Sequence, residues 1–240
     1  MAKRAIKKKS SKSKKPRRAA RSVLRYALRG LIGLVVIGAL IMVAGRFVAP
    51  WTTPYMLSQG RALGGVEYEW VALDDIAPVM ARSVVAAEDA NFCTHWGFDM
   101  AAIRQALEEG GTRGASTISQ QTVKNLYLWH GRNYTRKALE ALLTPALEAV
   151  WSKKRIIEVY LNIAEFDTGI FGVKAASRHY FGVAPADLTA TQAARLAAIL
   201  PNPKERSASQ PSPFVRKRTR SIIDGAATIR KDGRAACFES

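Results

Sequence analysis

The sequence predicts an all-α fold, with one helical domain preceded by a single membrane-spanning helix. Three observations carry that expectation. Residues 30–45 form a 16-residue run without a charge. Apolar residues recur at helical spacing through most of the chain beyond residue 70. Alternating polar and apolar residues, the mark of half-buried strands, are almost absent.

Arg29 and Arg46 flank the apolar run, and their long stems extend its reach toward the ~20 residues a bilayer core requires. Pro50 and Trp51 follow as a helix stop and an interfacial aromatic. A cleaved signal peptide is the weaker reading, because the basic region is long and the small-residue site at Val43-Ala44-Gly45 is poor. A buried core helix is weaker still, since nothing amphipathic marks the run. The expected organisation is a basic tail over 1–29, an anchor over 30–50, a juxtamembrane linker over 51–70, a domain over 71–230 and a short tail over 231–240. Gly60, Gly64 and Gly65 interrupt helical continuity in the linker.

Within the domain, Asp74, Asp75 and Pro78 open a helix in which Ile76, Val79, Met80, Val84 and Ala87 keep the 3.6-residue period, so Glu88 falls at a helix end. Residues 99–107 predict a short helix stopped by Gly110-Gly111, and 118–126 predict another. From Arg136, the positions Leu139, Leu142, Leu143, Ala146, Leu147 and Val150 imply a long helix kinked at Pro145. Ser152 caps the next, striped by Ile156, Ile157, Tyr160 and Leu161. Thr189 and Gln192 make a capping box before an Ala/Leu-rich helix that ends at Pro201, and residues 214–229 form a last basic helix.

The net charge of +18 suggests a nucleic-acid partner until it is divided along the chain. Residues 1–29 hold 13 Lys/Arg and no acid, Arg46 adds one, and residues 51–240 hold 23 Lys/Arg against 19 Asp/Glu, so the domain is only +4. The basic tail has no interleaved aromatics; it sets topology and contacts anionic lipid, and nucleic acid is not an expected partner. By the positive-inside rule residues 1–29 stay in the cytoplasm and the domain lies outside. Cys93 and Cys237 make no metal-ligand spacing, sequence alone does not establish that they come within bonding range, and no function is assigned to them.

Three polar blocks carry the chemistry. Glu88-Asp89, with Phe92 and His95, is the first; alone, such a pair is usually a solvated helix end. The second runs from Gly114 through Ser116, Thr117, Ile118, Ser119, Gln120 and Gln121 to Lys124 and Asn125, and is too particular to be core patterning. Arg136-Lys137 with Glu140 is the third, which in isolation would be a surface ion pair at helical spacing. A carboxylate that can remove a hydroxyl proton, small residues that let substrate approach, and cations for a phosphate leaving group make a coherent set. Residues 113–155 hold eight Lys/Arg against two Glu, a local +6.

These blocks, in this order, resemble the glycosyltransferase family 51 peptidoglycan polymerases of the short, monofunctional, membrane-anchored type. The motifs E-D-x-x-F-x-x-H, the Ser116 to Asn125 segment and R-K-x-x-E match. So does Lys153-x-Arg155-Ile-Ile-Glu158-x-Tyr160-Leu-Asn162, with Ile157 for Leu; Thr122 stands where many relatives carry Leu. The resemblance covers residues 66–220 and is most specific over 88–162. It implies a lysozyme-like orthogonal arrangement of helices around a cleft, and an inverting transfer that polymerises lipid II into β-1,4-linked glycan with release of undecaprenyl pyrophosphate for cell-wall biosynthesis.

In that resemblance Glu88 is the general base and Glu140 the second essential carboxylate. Substrate binding falls to Asp89, His95, Ser116, Thr117, Gln120, Gln121, Lys124, Asn125, Arg136, Lys137, Lys153 and Arg155. For His95 a structural role competes, and Glu158 and Asn162 are expected to satisfy buried polar groups. No cofactor is required by the sequence, although a divalent cation, Mg2+ or Mn2+, beside Glu140 is compatible with the resemblance. The implied partners are lipid II, nascent lipid-linked glycan, membrane lipids and other cell-wall synthesis proteins. The implied location is the bacterial inner membrane, single-pass, with the domain in the periplasm.

Two other readings stay open: a muramidase or lytic transglycosylase, which uses a glutamate as an acid, and a non-enzymatic cell-wall scaffold. A second, transpeptidase activity is not expected. The one S-x-x-K match, Ser11 to Lys14, lies in the basic tail without a K-T-G partner, and the chain ends at Ser240.

Overall fold

The computed structural model describes residues 15–110, 114, 116–131 and 133–239, with side chains from residue 22 onward. Residues 1–14 of the basic tail, together with Arg113 and Arg132 of the cationic stretch, lie outside the described residues. The chain divides into two units, residues 1–44 and 45–240.

The first unit is helix α1, Lys15–Gly45. Residues 22–45 are long and apolar enough to cross a membrane; at ~1.5 Å per residue they span about 36 Å, which exceeds a ~30 Å hydrocarbon core. The helix begins well before the predicted anchor because Arg, Ala and Leu in 15–29 are good helix formers. It ends at Gly45, short of Pro50.

The second unit opens with helix α2, Pro54–Leu63, capped by Thr53 and closed by Gly64 in the left-handed conformation. Strand β1 is Glu67–Tyr68, and a 3-10 turn, Leu73–Asp75, precedes α3, Pro78–Glu88. Then come α4, Met100–Glu108, α5, Ile118–Tyr127, α6, Tyr134–Val150, and α7, Lys153–Ile163. Strands β2, Glu165–Asp167, and β3, Ile170–Phe171, complete a small sheet of order β1-β3-β2, β1 parallel and β2 antiparallel to β3. Helix α8, Gly172–Phe181, follows, then α9, Ala190–Ile199, α10, Pro213–Lys231, and α11, Ala236–Glu239.

The fold is thus mostly helical, with one apolar N-terminal helix, as the periodicities predict. Its differences from the sequence reading have physical reasons. The stretch read as a linker contains α2 and β1, and Met56 is buried; its glycines terminate a helix instead of preventing one. The stretch read as a C-terminal tail contains α11 and the buried Phe238, and Cys237 forms a disulfide with Cys93. The strands have two or three residues each, too few to show alternation. Helix α6 runs through Pro145 without a break.

Two packed groups shape the domain. Helices α3, α9 and α10 pack together, with Met80, Val84, Leu196, Ala197, Ile222 and Ala226 excluded from solvent. The approach of α10 to α3 is close: a Cβ at Gly225 would stand 3.1 Å from the Ala86 Cβ. Helix α5 packs against α6 and α7 through Ile118, Val123, Leu147, Ile156 and Ile157. The polar site lies where the end of α3 meets α5 and α10.

Candidate active site

Glu88 is the last residue of α3, and its side chain is only 12% exposed. Its Oε2 accepts a hydrogen bond from Gln121 Nε2 at 3.0 Å. The other oxygen, Oε1, is buried and accepts no hydrogen bond among the described residues; Arg218 Nη2 stands 3.5 Å away as an ion partner. Burial raises the carboxyl above the ordinary glutamate value, opposed by the Gln121 hydrogen bond and by the charges of Arg218 and Lys124, with Asp89 adding to the rise. The result is a carboxylate with one oxygen held and the other buried with no hydrogen bond of its own among the described residues.

Gln121 is oriented from behind, since the buried Tyr160 hydroxyl donates to its Oε1 at 3.1 Å. Burial first, then Glu88 and Asp89, keep that phenol protonated far into the alkaline range. One turn along α5 stands Lys124, whose ammonium makes no hydrogen bond or ion pair among the described residues. Burial lowers its ammonium, while Glu140 and Glu88 pull it back up and Arg136 and Lys137 push it down. Lys124 therefore lies within electrostatic reach of both glutamates.

The start of α6 supplies the remaining charge. Asn133 caps the helix through the Thr135 amide at 2.8 Å. Arg136 Nη1 donates to Glu140 Oε2 at 2.6 Å and its Nε to the Gly131 carbonyl at 3.0 Å. Lys137 pairs with Glu140 Oε1 and also reaches Ser116 Oγ at 3.3 Å. Glu140, 2% exposed, holds both cations in place. Three cations against one carboxylate leave this corner at a net +2.

Two adjoining cavities frame the site. One, of about 490 Å³, is lined by Glu88, Asn91, Asp99, Ser116, Gln121 and Arg218. The other, of about 250 Å³, is lined by Tyr55, Gln121, Lys124, Asn125, His130 and Lys204. Gln121 and Pro201 belong to both. Tyr55 stacks on His130 with ring centroids 3.4 Å apart. Partial burial, then Lys124, Arg136 and Lys204, push that imidazole down to about 4, so it is neutral at neutral pH.

The structure brings Glu88, Gln121, Lys124, Arg136, Lys137, Glu140 and Ser116 together; Asp89 and Thr117 line the larger cavity beside Glu88 as well, and several predicted binding residues also carry bonds that hold the fold. The Asp89 carboxylate accepts from the Ile118 amide at 2.9 Å and bonds His95 Nε2 at 2.8 Å, so it fixes the start of α5 and the loop after α3. His95 is correspondingly structural. Thr117 and Gln120 form the capping box of α5, and the Thr117 hydroxyl donates to the Gly97 carbonyl at 2.7 Å. Ser119 is bound to the buried Glu148 at 2.5 Å.

Lys153 pairs with Glu148 at 2.7 Å and sits 4.4 Å above the Phe92 ring. Arg155 donates to the Gly45 and Val48 carbonyls, pairs with Glu158 at 2.5 Å and stacks near Trp70 and Trp151. Both cations are thus paired within the fold, Lys153 with Glu148 of α6 and Arg155 with Glu158 and the carbonyls before α2, which a motif read in line does not report. Asn125 lines the smaller cavity, with its buried Oδ1 accepting no hydrogen bond among the described residues. Asn162 and Glu158 satisfy the backbone of Val71 and Leu73, as expected.

Sequence reasoning missed Arg218 and the part played by Tyr160. Arg218 lies in the predicted basic helix, where it is one of several cations on α10 and nothing in the spacing singles it out. Tyr160 was assigned to an apolar stripe, and only its hydroxyl reaches Gln121.

A description of the Transglycosylase family matches residues 58–227. A biosynthetic peptidoglycan transglycosylase of Jannaschia sp. (strain CCS1) is 58% identical over 238 residues, covering 99% of each chain. One from Caulobacter vibrioides is 45% identical over 225 residues, 92% of this chain and 98% of the relative. One from Escherichia coli O127:H6 is 56% identical over 160 residues, 65% of this chain and 66% of the relative. The helical fold and its carboxylate-and-cation cleft are those of a glycosyl-transferring enzyme. The chain belongs to the transglycosylase family.

Proposed function

We propose that this enzyme is a peptidoglycan glycosyltransferase of cell-wall synthesis that polymerises lipid II into β-1,4-linked glycan, with inversion and release of undecaprenyl pyrophosphate. The observation that carries the reading is the pairing of Glu88, one oxygen of which accepts no hydrogen bond among the described residues, with the separate cation corner of Lys124, Arg136 and Lys137. Glu88 takes the proton from the acceptor sugar's 4-hydroxyl as that oxygen attacks the donor's anomeric carbon. The bond to pyrophosphate breaks on the opposite face, which inverts the configuration. Charge develops on the leaving oxygen, and Lys124, Arg136 and Lys137 stabilise it. Gln121 holds the base, and Glu140 holds Arg136 and Lys137 side by side.

A resident Mg2+ or Mn2+ does not fit the residues present. Both Glu140 oxygens are ion-paired, and no cluster of three His, Cys, Asp or Glu occurs among the described residues.

The raised carboxyl of Glu88 also suits the acid of a muramidase or lytic transglycosylase. The cations argue against that reading, because cleavage of a neutral glycosidic bond gives Lys124 and Arg136 nothing to stabilise. The relatives' shared description as biosynthetic peptidoglycan transglycosylases supports synthesis.

The charge-free run 30–45, within the apolar helix, anchors the chain in the inner membrane, with 1–29 cytoplasmic and the domain periplasmic. The Cys93–Cys237 disulfide supports an oxidising compartment for the domain. Membrane lipids, nascent glycan and other cell-wall synthesis proteins are its partners. The test is incubation of the purified full chain with labelled lipid II followed by muramidase digestion. Muramidase-sensitive polymer is expected, whereas no polymer, or shortening of preformed glycan, would overturn the reading.

A further inference from the structure

Residues 232–239 lie behind the loop that follows Glu88, and four separate fastenings join them to it or to α3. Cys237 is disulfide-bonded to Cys93 across 144 positions of sequence. Phe238, 1% exposed, packs its ring 6.3 Å from that of the fully buried Phe92. Arg234, itself held by Asp232 at 2.8 Å, donates to the Ala90 carbonyl at 3.0 Å. Glu239 pairs with Arg82 of α3 at 2.5 Å.

The backbone bonds within the loop so fastened are short turns, the Phe92 amide to the Asp89 carbonyl at 3.0 Å and the Thr94 amide to the Asn91 carbonyl at 2.8 Å, joined by side-chain bonds from His95 to Asp89 and from Asn91 to Asp99, each at 2.8 Å. Yet it carries Asp89, which ties the end of α3 to the start of α5 through Ile118. Glu88 and Gln121, which hold each other at 3.0 Å, sit on those two helix ends. A shift of the loop is therefore transmitted to the base and to the residue that orients it.

We propose that residues 234–238 are a clasp that positions Glu88 for catalysis, and that the Cys93–Cys237 bond makes the turnover rate depend on an oxidising environment. The clasp touches no substrate-lining side chain of the α6 cation corner, so it acts on the chemical step more than on donor binding. A misplacement well under 1 Å is enough to slow such a step about tenfold. Reduction adds two electrons and two protons to the disulfide and leaves two thiols; with dithiothreitol as reductant, the reagent is oxidised to its cyclic disulfide.

The inference rests on the polymerase reading, and the experiment keeps the two apart. Full-length protein in detergent is assayed on labelled lipid II before and after dithiothreitol, with thiols titrated and folding followed by circular dichroism at the assay temperature. The oxidised chain should polymerise. The reduced chain, two thiols exposed and still folded, should lose about tenfold in kcat with KM changed less than twofold. Cys93→Ser/Cys237→Ser should match the reduced protein and ignore dithiothreitol. Arg234→Ala, which keeps the disulfide, should lower kcat several-fold, and Arg234→Lys should restore part of it.

Reduced protein that retains kcat within twofold overturns the clasp while leaving the polymerase reading intact. If the oxidised chain makes no glycan, the polymerase reading itself fails. Should the reduced protein unfold at the assay temperature, Arg234→Ala decides: a kcat at least half that of the unaltered chain overturns the proposal.

Discussion

Arg218 Nη2 stands 3.5 Å from Oε1 of Glu88, yet its hydrogen bond goes to the Ala87 carbonyl at 3.2 Å. Arg218 thus supplies charge to the base without a hydrogen bond to that oxygen. A guanidinium bonded directly to that oxygen would compete with the proton the base must take. Removing the charge should move the carboxyl further up: Arg218→Ala should shift the acidic limb of the kcat/KM profile to higher pH and lower kcat several-fold. A pH profile with an unmoved acidic limb would show that the two groups are uncoupled.

The pH dependence of the unaltered enzyme follows from the same site. Glu88 must be ionised to act, and its carboxyl is raised by burial, so the acidic limb should lie above the ~4.3 of an ordinary glutamate. Lys124 must be charged, and burial lowers it, so the basic limb should fall below the ~10.4 of an ordinary lysine. Initial rates of lipid II consumption across pH test both limbs.

Glu88→Gln should reduce turnover by at least ~100-fold while leaving the fold intact. It should also alter stability, with a definite sign. The folded carboxyl binds its proton more tightly than the unfolded one, so the contribution is complete below the unfolded value of about 4.3 and is lost as pH rises through the folded value. At neutral pH ionised Glu88 destabilises the domain. Glu88→Gln should accordingly melt higher than the parent at pH 7, with the difference fading near pH 4; a lower Tm at pH 7 would contradict the burial argument.

Cations of the same sequence stretch should separate into two classes. Lys124→Ala and Arg136→Ala should each cost on the order of 2 to 4 kcal/mol in kcat/KM, with Arg136→Lys a partial rescue, since a point charge does not reproduce paired guanidinium hydrogen bonds. Glu140→Gln should impair activity too, by releasing Arg136 and Lys137. Lys153→Ala should instead strand the buried Glu148, lowering stability by about 3 kcal/mol with kcat/KM of the folded protein changed little. Kinetics and chemical denaturation of the five variants distinguish the classes.

Gly97 adopts φ +85°, and a Cβ there would lie 2.8 Å from Thr144 Cγ2. Its carbonyl also receives the Thr117 hydroxyl that helps cap α5. Gly97→Ala should cost ~1 to 3 kcal/mol of stability from the left-handed backbone alone, with the clash added. Unchanged denaturation midpoints would remove the steric argument.

The chemistry was legible in the residues because Glu88, Lys124, Arg136 and Glu140 are polar groups whose types and spacing have little use in a core. The apolar anchor and the helix caps at Ser152 and Thr189 were legible for a related reason: an uncharged run, a Ser or Thr before an apolar stripe, and a Gln three residues later act locally, within a turn or two of helix. What tertiary structure decided is which neighbours in sequence share a side. Lys153 and Arg155, expected among the substrate-binding residues, are tied to Glu148 and to the Gly45 and Val48 carbonyls. Arg218, 130 positions after Glu88, folds onto it. Helical periodicity describes one element's faces but not which element lies opposite, and ion pairs and the Cys93–Cys237 bond form between groups that only long-range packing brings together.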